Sequence, residues 1–418
     1  MANPKILSLH GRGLKLDTRA DIEPYLKDFD PTVLEEIHFG GNTIGVDASL
    51  ALAEFLSKAH ALKVANFADI FTGRLISEIP LALQAICDAL IDKTSLVEIN
   101  LSDNAFGGRS VEPMVPFLTN NRSFQILRLN NNGLGPAGGA VIANALRQSA
   151  LLSKAEGKKS NLRVVICGRN RLENGSAEAW AEAFAAHGTL EEVRMVQNGI
   201  RMEGITHLAR GLAQNPNIQH IDLQDNTFTV DGELSGVAAW TEALDSWPHL
   251  HTLNLSDCVL SADGEVPTLI ESLAKGSNPK LHTLQLQNNN LETQSFAVLS
   301  NAISQGLKNL MALELQWNDV EEDDEHLENL ALSLKQRGGK LFASDEEEEE
   351  EEKEIEREEE AEEAEEIEKE AREMDEVAKK VSAGMPEEKL KEEEAAPKPK
   401  PKDTTDDLAD LLSKVEIR

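Results

Sequence analysis

Apolar residues return along this chain in one recurring frame. LEEIHFGGNTI, starting at Leu34, has leucine or isoleucine at its first, fourth and last positions, phenylalanine at the sixth and asparagine at the ninth. The same form, L-x-x-L-x-L-x-x-N-x-L, returns as LVEINLSDNAF from Leu96, FQILRLNNNGL from Phe124, LRVVICGRNRL from Leu162 and LEEVRMVQNGI from Leu190. It continues as IQHIDLQDNTF from Ile218, LHTLNLSDCVL from Leu250, LHTLQLQNNNL from Leu281 and LMALELQWNDV from Leu310, with weaker copies from Leu7 and Leu62. The asparagine position falls at 12, 42, 70, 104, 132, 170, 198, 226, 258, 289 and 318, a mean spacing of about 31 in which 28 recurs four times. The alternation inside each copy predicts a short strand with its apolar residues inward. The stretches between copies, such as SLALAEFL and FAVLSNAI, are apolar at helical spacing and predict a helix.

One strand and one helix per period cannot bury their apolar faces alone, so neighbouring units must stack into a curved parallel sheet. The long period with room for full helices predicts an α/β leucine-rich-repeat solenoid, a ribonuclease-inhibitor-like horseshoe of about 11 repeats. The asparagine amide is expected to bond loop backbone groups that would otherwise cost roughly 1–3 kcal/mol each when buried unpaired. Residues 323–339, DDEHLENLALSLKQRGG, start with acids, carry Leu327, Leu330 and Leu334 on one face and end in glycine. They predict a last helix capping the solenoid.

Charge divides the chain. It holds 41 Lys+Arg against 74 Asp+Glu, a net of −33. Residues 345–418 contain 32 acidic and 13 basic residues, a net of −19, leaving −14 on the first 344. Two domains follow: a folded repeat domain, 1–344, and an acidic low-complexity tail, 345–418. Pairs at i and i+4 such as Glu365–Lys369 and Glu376–Lys380 would support a fluctuating helix in that tail, which is otherwise expected to be disordered. Phosphate binding needs clustered Lys and Arg, so nucleic acid and anionic membranes are excluded as main partners. Three cysteines without a CxxC spacing fit a reducing compartment, and no apolar run reaches membrane-spanning length. The expectation is a soluble cytoplasmic monomer.

Chemistry-bearing motifs are scarce. Gly133 to Gly138 reads G-x-G-x-x-G, but Leu134 is the last leucine of a repeat and Pro136 starts a helix, so the repeat explains it. No P-loop or H-E-x-x-H occurs, and no cofactor, metal or active site of its own is expected. Cys167 in an inward leucine position and Cys258 in an asparagine position read as structural, and Lys154, Lys158 and Lys159 as a solvated loop. The informative positions lie just before the asparagine, where the chain leaves the strand toward the rim: Asp69, Asp103, Asn131, Arg169, Gln197, Asp225, Asp257, Asn288 and Trp317. Outward strand residues are also mostly polar, among them His38, Asn100, Arg128, Arg194, Asp222 and Glu314. Such a rim suits protein binding; the plainer reading is a solvated edge. The third repeat breaks the frame, with Ile70 in place of asparagine and a longer loop through Phe71, Thr72, Gly73 and Arg74. Departures from a fold's own rules concentrate at functional sites, so Arg74 is expected on display there.

At these residues the sequence resembles the Ran GTPase-activating protein family. The stretches that carry the likeness are NFADIFTGR (66–74), LSDNAFG (101–107), NNGLGP (131–136), ICGRNRLENGS (166–176), MVQNGI (195–200) and LQDNTFT (223–229). The resemblance covers about residues 1–344 and implies a protein that accelerates GTP hydrolysis by Ran in nucleocytoplasmic transport. Ran would bring its own GTP and Mg²⁺, with Ran-binding proteins as further partners. By position it assigns Arg74 to the family's essential loop arginine, Asn131 to contact with the GTPase's catalytic glutamine, and Asp225 to an acidic rim contact. Asp103, Arg169, Gln197 and Asp257 join these as partner-binding candidates from their rim positions. Ile76 stands where some relatives carry a basic residue, and the animal and plant extensions find no match, which resembles the fungal form.

Overall fold

A computed structural model describes residues 4–321 and 323–344. The acidic tail, with the helix pairs expected in it, lies outside the described residues. Twelve three-residue strands, from Ile6–Ser8 to Lys340–Phe342, form one sheet in which each pairs in parallel with its neighbour along the chain. The register never slips: Ile37 faces Ala65, Ala65 faces Ile99, and Leu253 faces both Ile221 and Leu284. These central residues are buried, while those on either side look out over the concave face. A short second pairing, Lys15–Leu16 with Thr43–Ile44, ties the first two repeats beyond the main sheet.

Helices follow on the outer side, and their lengths follow the spacing. The 38-residue interval accommodates the long helix Gly135–Ala155, whereas Pro113 and Pro116 reduce the fourth repeat to a 3-10 turn, Glu112–Met114, and the short helix Val115–Asn120. The closing helix is Glu325–Gln336, buried through Leu327, Leu330 and Leu334, with Asp324 accepting from the His326 amide at 2.8 Å. Beyond it the chain adds a twelfth strand, Lys340–Phe342, that the repeat pattern did not predict. Its three residues carry no asparagine after them and so fall below the length at which the frame can be recognised.

The asparagines do what the pattern requires. Asn132 Nδ2 donates to Leu101 O of the preceding repeat at 3.0 Å and to Leu129 O of its own at 3.1 Å, while its Oδ1 accepts the Asn104 amide at 2.9 Å. Asn104, Asn170, Asn198 and Asn226 repeat this arrangement, so successive loops are sewn together by one amide each. Cys258 takes the same place with its thiol, 3.3 Å from Leu223 O and Ser256 O. Burial raises that thiol's pKa, and it pushes Cys167 up to about 12, which suits both to packing and not to nucleophilic chemistry.

A second row, not anticipated, lies where the helices end. Asn121 donates to Leu90 O at 2.8 Å, Asn215 to Phe184 O at 3.0 Å and Asn278 to Leu244 O at 2.9 Å, each receiving the last carbonyls of the preceding helix. Lys93 and Arg337 serve the same purpose with cations, at Ser57 O and Ile303 O. Between these rows the core is aliphatic, with Trp180, Trp240 and Trp247 as its largest fully buried side chains. The indoles of Trp240 and Trp247 donate to Ile205 O and Leu212 O.

Two predictions follow from this packing. Asn132→Ala leaves the buried Asn104 amide without its acceptor and takes one of two side-chain donors from Leu101 O and Leu129 O, and should cost about 1–3 kcal/mol in urea unfolding. A loss under about 0.5 kcal/mol would show that the ladder amide is dispensable. His187, 8% exposed and hydrogen-bonded to Ser160, has its pKa lowered to about 4 by burial. The folded state thus resists a proton that the unfolded state takes up near 6.5, and stability falls as pH drops from 6.5 toward 4. Between pH 7.5 and 5 this contributes a loss of about 2 kcal/mol that His187→Gln should abolish. Equal pH slopes for the two proteins would remove His187 as the cause.

Candidate functional site

The residue before each ladder asparagine sits in the left-handed backbone region. Asp69, Asp103, Asn131, Arg169, Gln197, Asp225, Asp257, Asn288 and Trp317 all have φ between +48° and +61°. That conformation turns the chain out of the strand and throws the side chain onto the rim. It also bears on composition, because aspartate and asparagine tolerate a positive φ better than other residues with side chains. Six of these nine rim residues are Asp or Asn, so backbone geometry alone accounts for much of the acidic rim. Arg169, Gln197 and Trp317 have no such backbone reason, and all three are exposed.

Asp103 and Asn131 form a pair. Asn131 Nδ2 donates to Asp103 Oδ1 at 3.0 Å. A carboxylate only accepts, so this bond fixes which end of the amide faces Asp103 and turns Asn131 Oδ1 toward solvent as an oriented acceptor. Asn288 and Asp257 repeat the motif at 2.6 Å nearer the C-terminal end. Arg169, Gln197 and Asp225 follow Asn131 one per repeat, their positions set by rim amides that donate to the next loop (Asn131 to Gly168 O, Arg169 to Val196 O, Gln197 to Gln224 O). The structure therefore brings Asp103, Asn131, Arg169, Gln197 and Asp225 into one ordered row, with Asp257 one repeat beyond.

Charges on the concave face are paired off locally. Arg128 bonds Glu98 at 2.7 Å, Arg194 bonds Glu192 at 2.6 Å, and Glu35 lies between Lys5 and Lys63, which hold its pKa down to about 2. Asp222 differs: burial raises its pKa, and its neighbours are the Gln224 amide, Arg194 and Asn254. Among the described residues no group of three or more His, Cys, Asp or Glu side chains could hold a metal ion.

Arg74 departs from expectation. The enlarged loop is present and Gly73 has φ +78°, but the guanidinium is not on display: its side chain is 9% exposed. Nε donates to Thr43 Oγ1 at 2.8 Å, Nη1 to Asp17 Oδ1 at 2.5 Å, and Nη2 to Thr43 O at 3.0 Å and Leu16 O at 3.4 Å. The cause is the short Lys15–Leu16 and Thr43–Ile44 pairing, which sets acceptors from two earlier repeats beside the loop. A Cβ on Gly45 would lie 3.1 Å from Arg74 Nη1 and 2.7 Å from Asp17 O, so glycine there leaves room for the arrangement. The guanidinium is also the first cause of the lowered pKa of Asp17. Asp17 and Thr43 were missed in the sequence. Thr18 and Asp21 form a capping box that marks the start of helix Arg19–Leu26, but nothing in it points to a cation 57 residues away.

A parallel solenoid with a buried asparagine ladder and an ordered polar rim defines a leucine-rich-repeat protein. A leucine-rich-repeat family model matches residues 120–143 and 248–264. The chain is 36% identical over 78% of its length to Ran GTPase-activating protein 1 of Saccharomyces cerevisiae, covering 81% of that protein. It is 46% identical over 46% of its length to Ran GTPase-activating protein 1 of Xenopus laevis, covering 34% of that longer protein. The ribonuclease inhibitor of Sus scrofa is 26% identical over 62% of this chain and 53% of its own. The chain belongs to the Ran GTPase-activating protein family.

The left-handed rim yields its own test. Gln197→Asn keeps an amide but suits φ +52° better, and should raise unfolding free energy by a few tenths to about 1 kcal/mol. A destabilised variant would mean that Gln197 is held by packing and not kept on the rim at a backbone cost.

Proposed function

We propose that this chain accelerates GTP hydrolysis by Ran, acting as an activator with no active site of its own. The observation that carries the reading is the Asp103–Asn131 pair, an acceptor oxygen held outward at a fixed point of the rim, in a chain of this family. A GTPase that docks along the rim brings its nucleotide, its Mg²⁺ and the attacking water. Asn131 Oδ1 is then placed to accept from the side-chain amide of the GTPase's catalytic glutamine, leaving the glutamine's own oxygen to orient the water. Arg169, Gln197, Asp225 and Asp257 supply contacts along the same edge, and the acidic rim favours a basic docking face.

Magnitudes allow this. Activation of about 10⁵-fold, the size seen among GTPase activators, corresponds to about 7 kcal/mol. Positioning a water and a polar group within a desolvated interface contributes on that scale without covalent chemistry. The tail, with its net charge of −19, adds long-range attraction that salt screens. We place the protein in the cytoplasm as a monomer.

The decisive measurement is single-turnover hydrolysis of GTP on Ran with substoichiometric amounts of this chain. Acceleration is expected. Asn131→Ala should slow the saturated rate by roughly 10-fold or more while changing affinity less. Binding without acceleration by the wild-type chain would leave only a non-catalytic scaffold.

A further inference from the structure

At the third repeat the ladder has lost its amide, because Ile70 stands where asparagine stands elsewhere. The main chain still closes: the Ile70 amide donates to Asn104 Oδ1 at 2.8 Å, and its carbonyl accepts from Ile44 at 2.9 Å. The missing side-chain link appears four residues later. Arg74 donates to Thr43 O and Leu16 O, main-chain carbonyls of the two preceding repeats, as a ladder asparagine donates to the carbonyl of one. The break in the frame and the buried arginine are thus one feature, a rung displaced outward along the loop and lengthened by a repeat.

Such a rung carries a charge and needs a counter-charge. A guanidinium at 9% exposure is costly without one. Asp17 supplies it, and Thr43 Oγ1 takes the Nε proton. Four of the five guanidinium N–H groups can be used in these bonds, which leaves little with which to reach another molecule. The loop that Arg74 anchors carries Leu75 and Ile76 outward at 66% and 62% exposure.

We propose that Arg74 is a positioning residue whose working partner is Asp17. The ion pair fixes the base of the 71–78 loop against the first two repeats and so sets how that loop is presented to the GTPase. Loss of Asp17 should therefore reproduce loss of Arg74, although nothing in the repeat pattern marks Asp17. The inference rests on the activation of Ran proposed above.

The test is single-turnover hydrolysis on Ran with wild type, Arg74→Ala, Asp17→Ala, Asp17→Asn and the Asp17→Ala/Arg74→Ala double variant. Both single alanine variants should lower the saturated rate by a similar factor, roughly 10-fold or more, and the double variant should lose no more than Arg74→Ala alone. Asp17→Asn keeps an oxygen acceptor for Nη1 and should recover a large part of the rate. Hydrogen exchange across residues 71–78 should quicken in both alanine variants while melting of the solenoid stays within a few degrees. Should Asp17→Ala fold poorly, Thr43→Val removes the Nε acceptor and should show the same loss. Wild-type or faster hydrolysis with folded Asp17→Ala overturns the proposal, since a released guanidinium would then act by itself. Additive losses in the double variant overturn it too. If the wild-type chain gives no acceleration, the activation reading fails and this one falls with it. Wild-type acceleration with a fully active Asp17→Ala sinks this inference alone.

Discussion

The structure depends on one buried amide in most of its repeats. Strands of three residues satisfy few of their own backbone groups, and the loops that leave them run inside the molecule. Each ladder asparagine closes this deficit, donating to carbonyls in two adjacent loops and accepting an amide from the repeat before. Three bonds from one side chain hold successive repeats in a fixed register. That registry lets the residue just before the asparagine adopt a positive φ in every copy and project at the same height. The ordered rim is a by-product of the way the backbone is satisfied.

This coupling changes what rim composition means. Aspartate and asparagine at Asp69, Asp103, Asn131, Asp225, Asp257 and Asn288 satisfy a backbone preference before they meet any partner. An acidic rim is therefore weak testimony to binding, and the residues that resist the backbone are stronger. Arg169, Gln197 and Trp317 hold a conformation that does not favour them, and Asn131 is oriented by Asp103 on the preceding repeat. Strain and orientation, more than charge, set these positions apart from the rest of the edge.

Most of the architecture was legible in the sequence, because a frame repeated at regular spacing fixes strand, ladder and helix together. Ile37, Ala65 and Leu253 could be placed inward, and Leu327, Leu330 and Leu334 on the closing helix, from their positions alone. The twelfth strand was lost because Lys340–Phe342 has no asparagine to announce it. The second row, at Asn121, Asn215 and Asn278, was lost because helix lengths vary and its spacing varies with them. The rim was placed correctly, but its left-handed backbone cannot be read from side chains that also suit solvent. Arg74 shows the limit most plainly. Its loop was visible as a break in the frame, yet its direction is set by Thr43 and Asp17, 31 and 57 residues earlier. No local pattern encodes a pairing at that range.

The amide rungs are neutral, and dissolved ions barely affect a buried bond between uncharged groups. The link made by Arg74 is ionic, and Asp17 is 42% exposed at its outer end. The first two repeats are therefore attached to the rest of the solenoid partly by a bond that responds to ionic strength, inside a ladder that otherwise does not. A repeat protein is commonly treated as uniform along its axis. Here one joint has a chemistry of its own, and it lies beside the loop where the repeat pattern breaks.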